Sequence, residues 1–467
     1  MAGRRGVSRG AHSFLTFRVD DGVVAVDSVR SDIALLYRRA GFGLRGVELD
    51  ALVPAGYEAA VEGLIFGLTV PDPGGDAVAV PSFPNPRLPG RTASLSERQA
   101  ASAELRAGLS ALQEWWLQRM VATSTPLREK LTLFWHGHFA TGASKVRDPK
   151  LMYLQNQLFR TRGWGSFEAL TQAVAKDGAM MFWLDTETDK KAHPNENFAR
   201  ELMELFTIGI GNYTQDDVTA GARAFTGWAY SRQTYRYFFQ AAQHDYGTKV
   251  FLDQSGEFNG TDIISILVSK AESARFVLAK LWSHFAYPVK PEDPVVDDLI
   301  GTYGSGFDVA GSLRTVFLHP MFRSAQTRTG LVKQPIEYLV GLARALGLGA
   351  AASPSGGGGG RLTLALVASA LGQEPLNPPN VGGWGQNSYW LDTATAEVRL
   401  EAALLLARRA DLSSIESVSV SQRSAVLADL LGLDGWGPTT ASALERQADR
   451  PEQLVALALA SPDYVVA

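Results

Sequence analysis

The sequence predicts a mainly α-helical fold, one large multi-helical domain with small β-hairpins, and three observations carry that prediction. Apolar residues recur at i, i+3, i+4 and i+7 in one segment after another. Capping residues and Pro-at-first-turn signals precede many of those segments. Runs with β character are few and short.

Taken in order, Phe14–Val19, Asp20-Asp21-Gly22 and Val23–Val26 predict a small hairpin turned by the Asp-Gly pair. Ser31 or Asp32 is placed to cap a first helix carrying Ile33, Leu35, Leu36 and Ala40, and residues 48–68 form a second helical stretch. Residues 71–95, rich in Pro and Gly, predict a long surface loop. Leu105, Leu109, Leu112, Trp116 and Leu117 give residues 96–122 a helical stripe. Thr125-Pro126 and Asp148-Pro149 each start a further helix, the second running through Arg160. Pro194 opens another, to Ile208, with Gly209 as its C-cap. Thr214 and Asp217 form a capping box for a helix reaching Trp228. Residues 235–240 and 249–252 predict one local hairpin in the middle of the chain. Helices follow at 262–268, 273–285, 294–302, 309–317, 330–346, 362–371, 395–409, 421–431 and 451–459, interrupted by a Gly-rich loop at 351–361. The organisation expected is a tail and hairpin at 1–29, a helical domain at 30–405, and C-terminal helices at 406–467 packed on the same core.

Composition excludes several classes. The chain has 467 residues and a formal net charge of -4, so no global basic field draws it to nucleic acid. It has no Cys, which removes disulfides, thiolate catalysis and Cys-ligated zinc; a metal would rest on carboxylates and the 7 His. No stretch approaches the ~18 apolar residues of a membrane span. Arg4, Arg5 and Arg9 are followed by too short an apolar run for an export signal, so the sequence as written reads as cytoplasmic, or exported if a signal was trimmed. Walker, Rossmann, nucleophile-elbow and His-Glu-x-x-His patterns are all missing.

Six separated motifs occur in order: Leu35–Gly43 (LLYRRAGFG), Arg128–Thr141 (REKLTLFWHGHFAT), Pro194–Val218 (PNENFARELMELFTIGIGNYTQDDV), Ala222–Trp228 (ARAFTGW), His244–Lys249 (HDYGTK) and Asn377–Trp384 (NPPNVGGW). Together they resemble a bacterial family known as domain of unknown function 1800, over roughly residues 30–405. The resemblance implies a single large domain. It also implies a possible partner, because genes of this family often lie beside a sulfatase-like family. It supplies no settled reaction.

The chemistry must therefore be read from residues. Asn197, Arg200, Glu201 and Glu204 fall on one stripe of a helix, with Glu196 in its first turn. That stripe is either a solvent face laced by i,i+4 pairs or a buried polar network. His136 and His138 point to opposite sides if their helix is regular, and reach one centre only if Gly137 breaks it. His244-Asp245 suits ligation, base catalysis or plain turn chemistry. Arg38 and Arg39 can bind an anion or pair with the Glu stripe. Gly382-Gly383 permits close backbone approach, and Trp384 and Trp390 can stack on a sugar or fill the core.

The reading these residues favour is an enzyme hydrolysing a polymer, glycoside or ester. Glu196, Glu201, Glu204, Arg200 and His136 would be catalytic. Arg38, Arg39, Asn197, Trp384 and Trp390 would bind substrate. His136, His138, His244 and Asp245 are candidate ligands for a divalent metal. A non-haem iron oxidoreductase is a variant of this reading. The alternative is a non-catalytic accessory protein that binds a sulfatase-like partner or a glycan.

Overall fold

The computed structural model describes residues 28–83, 92–301, 303, 307–348 and 363–466. The expected hairpin at 14–26 and the Gly-rich loop at 351–361 lie outside the described residues. The architecture is mainly α, with two two-stranded antiparallel sheets among the described residues.

The predicted capping chemistry builds much of it. Asp148 caps Pro149–Arg162, accepting from the Lys150 and Leu151 amides. Thr214 and Asp217 form the reciprocal box that opens Gln215–Phe225. Leu95–Ala122, the longest helix among the described residues, starts on an unforeseen box of Ser94 and Glu97. Other boundaries differ for local reasons. The first helix already covers Ser28–Ala40, so Ser31 and Asp32 lie inside it; Ser31 donates to Asp434 and Asp32 pairs with Arg328. Residues 48–68 divide at Pro54 and Gly56, whose φ of 85° no helix accommodates. Thr125 precedes Pro126–His138 without capping it, and its hydroxyl is buried and unpartnered. Within the expected loop at 71–95, of which residues 84–91 lie outside the described residues, Pro73–Asp76 forms a short helix anchored by the buried Asp72 carboxylate.

The middle β region holds two hairpins, not one. Arg236–Phe239 pairs with Trp228–Ser231, and Lys249–Phe251 pairs with Gln254–Gly256. The second turn uses positive φ at Leu252 (47°) and Asp253 (66°), a conformation costly for Leu and carrying no Asn-Gly signal.

Two apolar clusters fill the interior. One gathers Phe134, Trp135, Phe139, Phe167, Phe206, Trp282 and Phe285 from the middle of the chain. The other joins Trp116, Tyr338 and Leu339 to Leu406, Leu427, Leu444, Leu454 and Tyr464; Pro451–Ala460 packs on Thr393–Ala407, which meets Pro335–Ala345, and that helix in turn packs on Leu95–Ala122. The Pro126–His138 helix contributes to both, through Phe134 and Trp135 on one side and Leu133 on the other. Beneath it lies a buried ionic centre. Glu129, with no exposed surface, accepts from Arg119 Nε (2.8 Å), Arg160 Nε (2.6 Å) and Nη2 (3.0 Å), and Trp116 Nε1 (3.1 Å). Desolvation opposes its charge, but the two guanidiniums overcome that and hold its carboxyl below the ordinary range. Among the described residues, no helix is long and apolar enough to cross a membrane.

Candidate functional site

Pro126–His138 stays helical through Gly137, so His136 and His138 diverge as a regular helix requires. His136 packs edge-on against Trp116 and beside Trp384, with ring centroids 5.5 and 5.4 Å away. His138 turns the other way, towards Phe139, Phe167 and Phe206. No shared centre is possible for this pair. His244 is equally committed: its Nδ1 donates to the Thr226 carbonyl at 2.8 Å and its ring packs against Tyr246. Asp245 receives the Arg223 guanidinium at 2.7 Å. Among the described residues, no group of three or more His, Asp or Glu is placed to hold a metal ion. The expected set His136, His138, His244 and Asp245 is therefore not assembled.

The acidic stripe faces outward. Glu196 is bound by Arg200, Gln215 and Thr219 at 2.9–3.0 Å in a half-exposed network, and Asn197 is exposed. Glu204 accepts from Tyr213, and Glu201 is half-buried beside it. Burial and the neighbouring Glu204 charge raise the Glu201 carboxyl. Among the described residues, no histidine hydrogen-bonds or pairs with this network. Arg38 and Arg39 do not reach the stripe either; they donate to the Gly432 and Thr327 carbonyls. Trp390 is buried in the core, its carbonyl accepting from Arg399.

What the same segment supplies to a cleft is backbone. Asn195 caps Glu196–Glu201, and the helix then widens to a π-helix over Leu202–Thr207 before ending at Gly209, whose φ is 81°. This foreseen C-cap donates to the Met203 carbonyl at 3.0 Å. The carbonyls of Leu205 and Phe206, in the last turn, point away from the helix ladder. Lys280 Nζ donates to the first and His138 Nε2 to the second, each at 2.9 Å.

These contacts open onto a cleft of about 320 Å³ lined by His138, Lys280, Ser283, His284, Gln334 and Trp384 among others. That volume is enough for a small organic ligand. The Ala271–Phe285 helix places Lys280 and His284 four residues apart, on one face. The opposite wall is the Gly382–Trp384 loop. Gly383, at φ 84°, lies so close to the Pro126–His138 helix that a Cβ there would stand 2.3 Å from the Gly137 carbonyl oxygen. The expected close approach of the Gly pair is thus used, and it seats Trp384 in the wall.

Charge in the cleft is unusual. A backbone carbonyl can only accept, so His138 carries its proton on Nε2 and leaves a lone pair on Nδ1. That Nδ1 is buried without a partner. Desolvation first, then the Lys280 charge, hold the ring neutral far below the usual histidine range. Burial brings Lys280 down to about 8 and His284 to about 4. His284 Nε2 stands 4.0 Å from Glu337, which lies behind the cleft and pairs with Lys130 at 2.6 Å. No Asp or Glu lines the cleft.

Of the residues singled out from the sequence, His138 as a metal ligand and Trp384 as a substrate platform line this cleft, though they were expected beside the Glu stripe; Lys280 was not singled out. Sequence reading took His284 for a helix-end residue. The available signal was a lysine inside the apolar run Val277–Phe285 with a histidine one turn on.

No curated protein and no solved structure matches this chain. The family described as "Protein of unknown function (DUF1800)" matches residues 35–466, which extends past residue 405, where the resemblance by motifs ends. This chain belongs to that family.

Proposed function

We propose that the protein is a hydrolase acting on an ester, with the His138–Lys280–His284 cleft as its active site. The observation that supports this reading is the His138 ring at the cleft, its tautomer fixed by the Phe206 carbonyl, its buried Nδ1 without a partner and the Lys280 charge acting on it. His138 Nδ1 accepts a proton as water attacks the substrate carbonyl carbon. Lys280, largely protonated below pH 8, stabilises the oxyanion that forms. The carbon–oxygen bond to the leaving group then breaks, and the imidazolium returns its proton to the departing alkoxide. Burial and the Lys280 charge make the resting imidazole a weak base. The oxyanion offsets both effects, so its basicity rises along the reaction. Trp384 supplies an apolar wall for the acyl or alcohol group. An ester suits the cleft better than a glycoside, which calls for paired carboxylates flanking the bond.

The test is a panel of chromogenic acyl esters and glycosides, assayed with wild type, His138→Ala, Lys280→Met and Glu201→Gln. Ester cleavage that falls at least ~100-fold in the first two variants and persists in the third supports the proposal. Cleavage of glycosides alone, or loss on Glu201→Gln with retention in His138→Ala, would return the activity to the acidic stripe. Retained small-ester binding without any cleavage would leave a binding protein, not a hydrolase.

A further inference from the structure

A second cavity, separate from the cleft, is lined by more cationic than acidic side chains. It lies where the C-terminal end of Ser28–Ala40 meets Pro335–Ala345 and Pro462–Val465, and its volume is about 20 Å³. Arg38, Arg45, Lys333 and Arg344 line it, against two carboxylates, Glu48 and Glu337. Both acids are engaged. Glu48 accepts from Arg45 Nε at 3.3 Å and from the Arg45 amide at 2.9 Å. Glu337 pairs at 2.6 Å with Lys130, which stands outside the cavity lining.

The other three cations hydrogen-bond only to carbonyl oxygens; Asp434 near Arg38, Glu48 near Arg344 and Glu337 near Lys333 act on them without a hydrogen bond. Arg38 donates to the Gly432 carbonyl, Lys333 to the Tyr464 carbonyl, and Arg344 to the Val121 and Thr123 carbonyls at 2.9 and 3.0 Å. Arg38 Nε is buried and has no partner. Arg39 stands next to Arg38 and donates only to the Thr327 carbonyl, which adds to the excess. Part-buried cations whose hydrogen bonds all go to carbonyls are less favourably placed than the same cations facing an anion. A space of about 20 Å³ exceeds what one water needs and is too small for an organic phosphate.

We propose that this cavity is an anion site taking one chloride-sized inorganic ion, held by Arg38, Lys333 and Arg344. The ion supplies the negative charge that Glu337, already paired with Lys130, does not provide. It also ties the N-terminal helix to the chain's last turn through Arg38 and Lys333, since Tyr464 and Leu431 complete the lining. Burial and the neighbouring Arg38 and Arg39 charges push Lys333 well down in its absence; the ion raises it again.

The test uses the full chain at constant pH and ionic strength, with sodium chloride replacing sodium gluconate stepwise. Wild type gains melting temperature saturably with chloride, by about 2 °C or more. Lys333→Met melts no lower than wild type in gluconate, because a buried cation has gone, and its gain from chloride disappears. Arg38→Met provides the same comparison from the other wall. Lys280→Met, altered only in the cleft, keeps the full gain. Three results overturn the proposal: no chloride dependence in wild type, an undiminished gain in both Lys333→Met and Arg38→Met, or loss of the gain in Lys280→Met. A gain from sulfate with none from chloride overturns the assigned size.

Discussion

Replacing Glu129 by Gln tests the buried ionic centre under the Pro126–His138 helix. The carboxylate is fully buried and receives three guanidinium N–H groups from Arg119 and Arg160 plus the Trp116 indole. Gln keeps the shape but removes the charge, and its amide NH2 turns a donor towards donors. Arg160 then has no carboxylate partner; Arg119 retains Asp72 at 3.3 Å and Asp76 at 2.8 Å. Removing one partner of a buried ion pair costs about 3–5 kcal/mol, chiefly through the charge left unpaired. The remaining Asp72 and Asp76 contacts place the expectation nearer ~3 kcal/mol. Urea denaturation at pH 7, followed by tryptophan fluorescence, reads this as a lowered midpoint at unchanged slope. Glu201→Gln is the control: on the half-exposed stripe it stays within about 0.5 kcal/mol of wild type. A Glu129→Gln loss below ~1 kcal/mol would refute the reasoning, because the carboxylate would then not be compensating the arginines.

Three further outcomes follow from the same geometry. Asp177 is buried, accepts from Gln155 and the Met180 amide, and is raised by desolvation to about 7; its folded form thus binds a proton that the unfolded chain releases near pH 3.8, so stability falls as pH rises from about 4 to 7. Asp177→Asn flattens that slope in pH-resolved thermal melts, and an unchanged slope contradicts the assignment. Gly383→Ala forces a Cβ against the Gly137 carbonyl at a φ of 84°, costing about 1–3 kcal/mol and displacing Trp384; ester cleavage should fall with it, and a fully stable, active variant would contradict the close approach. Lys280 should acetylate in limited acetic anhydride labelling with a midpoint near pH 8, read by peptide mass spectrometry, whereas a midpoint near 10.5 would show an unperturbed, solvated amine.

Much of the fold was legible because local chemistry decides it. Thr214 with Asp217, Asp148 before Pro149, and Gly209 after its helix act within a few residues, and the structure uses all three. The hairpins were half legible: strands at 235–240 and 249–252 formed, but pairing depends on turns, and the Leu252-Asp253 turn needs a backbone state its residues do not advertise. The stripe of Asn197, Arg200, Glu201 and Glu204 was legible as a stripe only. Its periodicity is the same whether it meets water or a cleft, and Gln215 and Thr219, which bind Glu196 at the surface, come from a different helix. The cleft was harder still. It depends on a π-helical turn aiming the Leu205 and Phe206 carbonyls at Lys280 and His138, across 75 and 68 residues of chain. No residue type marks that widening. Gly382-Gly383 did announce a close approach, without saying that Gly137 was the surface approached.

Soaking crystals of the wild-type protein in a mixture of small carboxylates and non-cleavable ester analogues, and locating the bound density, asks directly where ligands bind. Density is expected in the 320 Å³ cleft, with the ligand's carbonyl group beside His138 and Lys280. Density beside Glu201 and Glu204, with the cleft empty across the whole mixture, would contradict it.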